Sequence, residues 1–276
     1  MREPDLRRAI AAACSVAASA GLAVEDVVVL QSSAKVALRL LPCDVLARVS
    51  AGDPRAAQLE VDLAHALVDA GCPVARPDPR LESRAYREDD LAITWWTFYT
   101  AGAALSAGDY GHALRRLHLG MRGVEPPAAV PHALDRIESA RRLLDDRDLT
   151  PELPDEERGL LTRVLGELPA ELADRGGGQL LHGEPHAGNL LATAHGPLFI
   201  DLETCCRGPV ELDLAHAPPA VDEHYPGADL ELARRCRLVV LAMVTTWRWD
   251  RDDQLPDGRR LAAEWLAQIR TMLAVG

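Results

Sequence analysis

Three β-rich runs crowd into residues 24–51, and no other part of the chain limits its fold so tightly. The runs VVVL, VALRL and VLARV are separated by short gaps that hold the turn-formers Ser32–Ser33 and Pro42–Asp44. The runs therefore predict three antiparallel strands joined by tight turns. A helix follows, with Asp53 as its cap, Pro54 in its first turn and Gly71 at its end. Leu59, Leu63, Ala66 and Leu67 stand at helical spacing inside it. LAITWWTFY at residues 91–99 supplies one more strand, and from Ala101 onward the texture is helical apart from one block discussed below. Ahead of the strands, Leu6, Ile10, Ala13 and Val16 share one side of an amphipathic first helix. Glu3 and Asp5 stand where a secretory leader would be basic, which disfavours reading that segment as a leader.

This pattern predicts an α+β chain. A strand-rich part would span residues 1–98 and a mostly helical part residues 99–276, with a ligand site at the seam. The formal net charge of −12 counts against a nucleic-acid partner, because phosphate backbones recruit basic surfaces. No run reaches membrane-spanning length. Six cysteines, at 14, 43, 72, 205, 206 and 236, include no Cys-x-x-Cys pair and read as free thiols of a reducing compartment. The expectation is a cytoplasmic protein with a small-molecule partner.

The block that interrupts the helices is LLHGEPHAGNLL at residues 180–191, followed by PLFIDLE. Three chemistries compete for it. Zinc would need two histidines on one helical face, but Gly183 and Pro185 break a helix and Glu184 is one place late for His-Glu-x-x-His. A serine nucleophile lacks any Gly-x-Ser-x-Gly elbow. Magnesium-assisted phosphoryl transfer fits best: Asn189, Asp201 and Glu203 offer oxygen donors on the two sides of a tight hairpin.

HGEPHAGN, then FIDLE, then RGPVELDLAH resembles the catalytic region of the aminoglycoside phosphotransferase and choline kinase family. The resemblance implies a two-lobed, protein-kinase-like fold with a small antiparallel-sheet lobe and a mostly helical lobe. By the same resemblance, Asn189 and Asp201 are metal ligands, joined by Glu203. Glu184 occupies the place of the catalytic aspartate, His182 is structural, and Asp213 braces the loop. QSSAKV is similar to the family's nucleotide loop, which gives Ser32 and Ser33 to the phosphates. ITWWTFY is similar to the strand entering the hinge, which gives Thr97 and Phe98 to the nucleotide.

The sequence departs from that family twice. Glutamate replaces aspartate at 184, and the extra methylene moves the carboxylate by roughly one to two ångströms. In the third strand Arg48 stands where the family carries a lysine, with Glu60 as its expected partner. Lys35 is the only lysine in the chain; at the start of the second strand it reads as solvated more readily than as a phosphate ligand. Of Trp95 and Trp96, adjacent on a strand, one is expected in the core and the other at the adenine slot. His118 reads as a packed helix histidine, and His186 as a cap of its own loop. Asp222, Glu223, Asp250, Asp252 and Asp253 read as solvated loop residues or as ligands for ammonium groups.

The expected function is transfer of the γ-phosphate of ATP or GTP, with Mg²⁺, to a hydroxyl of a small molecule, cationic acceptors such as aminoglycosides included. Glu184 and Asp201 would be catalytic, and Arg48 with Glu60 would position the phosphates. The competing expectation is a kinase-like protein that binds nucleotide or another ligand without transfer.

Overall fold

A computed structural model describes residues 3–32, 35–167 and 178–275. In chain order it begins with α1 (Glu3–Ser19), β1 (Val24–Ser32), β2 (Lys35–Pro42), β3 (Val45–Ala51), α2 (Pro54–Asp69), β4 (Tyr86–Glu88) and β5 (Leu91–Thr97). Helices α3 (Ala107–Met121), α4 (Ala133–Asp145) and α5 (Asp155–Glu167) follow, then β6 (Gln179–Leu181), β7 (Leu190–Thr193), β8 (Gly196–Phe199) and β9 (Cys206–Gly208). The chain closes with α6 (Val210–Leu214), α7 (Leu230–Trp247) and α8 (Gly258–Val275).

These elements form two compact units. The first holds Met1–Ser106, Leu119–Val124 and Gly188–Thr204; the second holds Ala107–His118, Glu125–Ala187 and Cys205–Gly276. In the first, five antiparallel strands lie in the order β1-β2-β3-β5-β4. The three runs read from the sequence are its first three strands. The short β4 was not expected.

Alternation along β2 and β3 divides the sheet's faces. Val36, Leu38 and Leu40 on β2, with Val45, Ala47 and Val49 on β3, are buried against Ala9, Ala13, Val16 and Ala17 of α1. Pairing of Lys35 with Ser50 and of Ala37 with Arg48 sets Lys35 and Arg48 on the opposite face, since directly paired residues share a face. Trp95 joins the α1 core. Trp96 points the other way, as adjacent strand residues must, and is buried there as well.

Asp53 caps α2 by accepting the Arg55 N–H at 2.9 Å, and Gly71 ends the helix at φ +75°, a left-handed geometry that glycine adopts without strain. The β7–β8 hairpin is pinned within this unit. The Phe199 N–H donates to Pro73 O at 2.7 Å, the Ala75 N–H donates to Phe199 O at 2.9 Å, and the Phe199 ring is fully buried. The strand expected to run through Asp201 stops at Phe199. The next N–H, of Ile200, turns to Asn189 O at 3.0 Å, and Asp201 adopts φ +67°.

The second unit is built from α4, α5, α7 and α8, whose apolar stripes meet through Ile137, Leu144, Leu161, Leu165, Val239 and Ile269. A small β6–β9 pair runs beside them, with Gln179 opposite Gly208. The six cysteines are free, four buried and two half-buried. Among the described residues no helix is long and apolar enough to cross a membrane.

Candidate active site

In the first unit an ionic cluster gathers residues from four separate stretches of chain. Arg48 on β3 donates to Glu60 on α2 and, at 2.6 Å, to Asp201 beyond β8. Glu60 is 3% exposed and also accepts the Leu202 N–H at 3.1 Å. Lys35 on β2 contacts Glu203 and lies 3.5 Å from both Glu60 and Asp201. Burial alone would lower the Arg48 pKa, but the Glu60 and Asp201 carboxylates outweigh it and hold the guanidinium above its ordinary value. The Arg48–Glu60 pair expected from the sequence is present. Lys35 is not the solvated strand lysine that was favoured: it belongs to the same cluster.

Asn189 precedes β7 and Asp201 follows β8, so the hairpin sets them side by side. Pairing of Leu190 with Phe199 and the Ile200–Asn189 hydrogen bond fix that register. Asp201 is among the non-glycine residues that tolerate a left-handed backbone, and such geometry recurs at functional positions. Asp201 and Glu203 both face the Lys35 ammonium, and Asn189 stands at the other foot of the hairpin; oxygen donors are the residue types that suit Mg²⁺, a cation that takes few protein ligands and completes its shell with phosphate and water oxygens. Among the described residues no three of His, Cys, Asp and Glu gather into a metal-holding group.

The second unit carries Glu184 in a loop whose geometry is fixed from both sides. Arg136 on α4 donates to the Glu184 carboxylate and, at 3.0 Å, to the Gly183 carbonyl. The same guanidinium lies 5.4 Å from the Trp247 ring centroid. Tyr110 on α3 donates its hydroxyl to the Pro185 carbonyl, and burial pushes that phenol's pKa up. Gly183 turns the chain at φ +90°, and the His186 N–H closes on Glu184 O at 2.8 Å. His186 is exposed and makes that turn through its backbone.

Asp213 on α6 anchors the loop from beneath. Fully buried, it accepts the His182 N–H and the Gly183 N–H, both at 2.8 Å, and His118 Nε2 at 2.9 Å. Since an ionised carboxylate only accepts, the Nε2 proton belongs to His118, which leaves Nδ1 to take the Tyr225 hydroxyl at 2.7 Å when the ring is neutral. Desolvation pushes the Asp213 pKa up, but the His118 hydrogen bond and the neighbouring imidazoles reverse it and hold the acid below its ordinary value. His216 is driven the other way: burial lowers its pKa from 6.5 to about 4.

The other expected site residues stand apart from these clusters. Ser32 ends β1 and is exposed; Ser33 lies outside the described residues. Thr97 pairs with Val45, three rungs along the sheet from the Arg48–Thr94 pair, or roughly 10 Å. Phe98 lies under the Arg39 guanidinium at 4.0 Å. Three of the five acids read as solvated loop residues or as ammonium ligands lie beside arginines, Asp252 among them, 3.6 Å from Arg251. Arg237 holds Asp222 through both carboxylate oxygens, one at 2.9 Å, and Arg248 lies 3.3 Å from Asp253. Asp250 accepts the Asp252 N–H at 2.9 Å, and Glu223 is exposed. A cleft of about 630 Å³ opens in this unit between His216, Asp222, Arg237, Val240, Leu241 and Met272. Sequence reasoning missed Arg136 altogether. Its helix was legible, but the partner that gives it meaning lies 48 residues on.

Residues 29–235 match the profile of the phosphotransferase enzyme family. No curated protein matches the chain in sequence. Among solved structures, an amicoumacin kinase in complex with AMP-PNP, Ca²⁺ and Ami superposes at TM-score 0.72 with 11% identity, covering 98% of this chain and 96% of that one. A choline/ethanolamine kinase family protein from Mesorhizobium loti superposes at 0.66 with 16% identity, covering 90% and 88%. A spectinomycin phosphotransferase bound to ADP and spectinomycin superposes at 0.60 with 16% identity, covering 92% and 94%. At these identities the likeness shows the fold. It is the protein-kinase-like one, with an antiparallel N-terminal sheet and a helical C-terminal part.

Proposed function

Because the chain belongs to the phosphotransferase enzyme family, we propose that it moves the γ-phosphate of ATP, or GTP, to a hydroxyl of a small molecule. The observation that carries this reading is the cluster of Arg48, Glu60, Lys35, Asp201 and Glu203 beside Asn189. It combines cations for phosphate with oxygen donors for a divalent ion, and phosphoryl transfer needs little from a protein beyond positioning and charge neutralisation. Asn189, Asp201 and Glu203 would hold Mg²⁺, which neutralises phosphate charge when bound. Arg48 and Glu60 keep the phosphate-side wall in register.

Glu184 is the candidate acceptor of the hydroxyl proton. It is half-buried, sits on a loop fixed by Asp213 and Tyr110, and is aimed by Arg136. The 630 Å³ cleft is the candidate acceptor pocket; its one carboxylate, Asp222, is already paired with Arg237. A mainly apolar wall that sets two arginines, Arg234 and Arg237, against one carboxylate suits a hydroxylated molecule with an apolar body better than a polycation.

The test is nucleotide consumption with Mg²⁺ across a panel of hydroxylated compounds, kanamycin among them, for the wild type and Asp201→Ala. Turnover that survives Asp201→Ala would count against the metal assignment. The second reading, nucleotide binding without transfer, draws on the Arg136–Glu184 contact, since a carboxylate held by a guanidinium has fewer lone pairs to offer an acceptor. Tight Mg-dependent nucleotide binding with no transfer to any acceptor would favour it.

A further inference from the structure

We propose that Lys35, rather than Arg48, is the side chain that holds the terminal phosphates of the nucleotide; this rests on the phosphotransferase reading above. Both cations lie on the face of the sheet opposite α1, and both touch Asp201. They differ in how their donors are committed. Arg48 spends one arm of its fork on Glu60 and the other on Asp201, and its side chain is 16% exposed with Glu60, at 3%, behind it. The Leu202 N–H completes Glu60 from the other side. Arg48 therefore ties β3, α2 and the turn after β8 into one piece, and turning it toward a ligand would leave Glu60 as a buried charge short of a partner.

Lys35 is the more exposed of the two cations, at 24%. Among the cluster's acids it lies nearest Glu203, the most exposed at 45%, and it reaches Glu60 and Asp201 at 3.5 Å each, the long end of hydrogen-bond distance. An ammonium on a four-carbon stem carries three rotatable donors, so it can exchange one anionic partner for another without dismantling a packed fork. The acids beside it, Asp201 and Glu203, are the ones assigned to the divalent ion. A cation adjoining both is placed to reach phosphate oxygens that share that ion. The residue at the usual lysine position has become a clasp, and the neighbouring strand supplies the mobile charge.

Lys35 is the only lysine of the chain, so a single experiment can follow it. The wild-type protein is acetylated with a water-soluble N-hydroxysuccinimide ester, and modification at Lys35 and at the α-amino group is followed by peptide mass spectrometry. Calorimetry with ATP and AMP, both with Mg²⁺, is run on the wild type and Lys35→Met. With Mg²⁺, ATP should slow Lys35 acetylation by at least about tenfold, AMP by less than about twofold, and neither should alter the α-amino rate. Lys35→Met should weaken ATP by about tenfold or more and leave AMP within about twofold. The footprint decides the matter even if the variant fails to fold. Unchanged ATP affinity in a folded Lys35→Met, or full Lys35 reactivity in ATP-saturated wild type, overturns the proposal while sparing the enzyme assignment. Absence of ATP binding by the wild type overturns both.

Discussion

Replacing Arg48 with methionine removes the cation that joins Glu60 to Asp201. Glu60, 3% exposed, would keep only the Leu202 N–H at 3.1 Å and the Lys35 ammonium at 3.5 Å. Breaking a buried ion pair from one side costs about 3–5 kcal/mol, because the surviving charge is left uncompensated. Lys35 stays near both acids and Asp201 is 29% exposed, so about 2–3 kcal/mol of that cost should remain. In a chain of this size each kcal/mol moves a melting midpoint by roughly 2–4 °C, which gives a fall of roughly 5–10 °C. The double variant Arg48→Met/Glu60→Leu removes both charges and strands neither. It should melt above Arg48→Met, although the Leu202 N–H loses its acceptor. Thermal unfolding followed by tryptophan fluorescence measures both. A double variant that melts lower, by the sum of the two single effects, would refute the view that the loss comes from a stranded Glu60.

Acid should weaken the second unit through His216. Its folded pKa of about 4 lies below the ordinary 6.5, so between those values the unfolded chain binds a proton the folded one refuses, and stability falls as pH falls. At pH 5 the loss is about 1–2 kcal/mol by linkage, the lower figure allowing for a residue that is half-buried as a whole; His216→Gln should flatten that part of a urea-midpoint profile between pH 7 and 5. Asp213→Asn turns a donor toward one of the three groups that now donate to the carboxylate, and should cost about 3 kcal/mol or more with a matching drop in turnover; near-native melting would remove its bracing role. Glu184→Asp withdraws the carboxylate from Arg136 and should lower turnover by about tenfold or more. A rise instead would mean that the natural residue is the impaired one.

The strands were legible because Val and Leu runs bounded by turn residues leave few alternatives, and because β2 and β3 alternate strictly. The hairpin was legible because the short segment between Asn189 and Asp201 leaves room for little else, so sequence distance and spatial distance agree there. Elsewhere they part. Asp201 lies 153 residues from Arg48, and Lys35 acquires its meaning from that same distant turn. A lysine opening a strand has no local mark that separates a solvated side chain from a member of a buried cluster. Asp222 escaped for a related reason: its arginine partner, Arg237, sits fifteen residues on, within the next helix, and no local pattern announces the pairing.

The ionic cluster has a consequence for how this chain meets its substrate. Three carboxylates, at 60, 201 and 203, face two cations, at 35 and 48, so the patch holds an excess of one negative charge. In the proposed reaction a triphosphate arriving bare would bring several more of the same sign to this half-buried cluster and be turned away. Escorted by a divalent ion, it brings the balancing charge along. Under the proposed function, nucleotide and ion would thereby be thermodynamically linked at this surface: each would raise the affinity of the other by the same factor, and the supply of free ion would set how much nucleotide the protein retains.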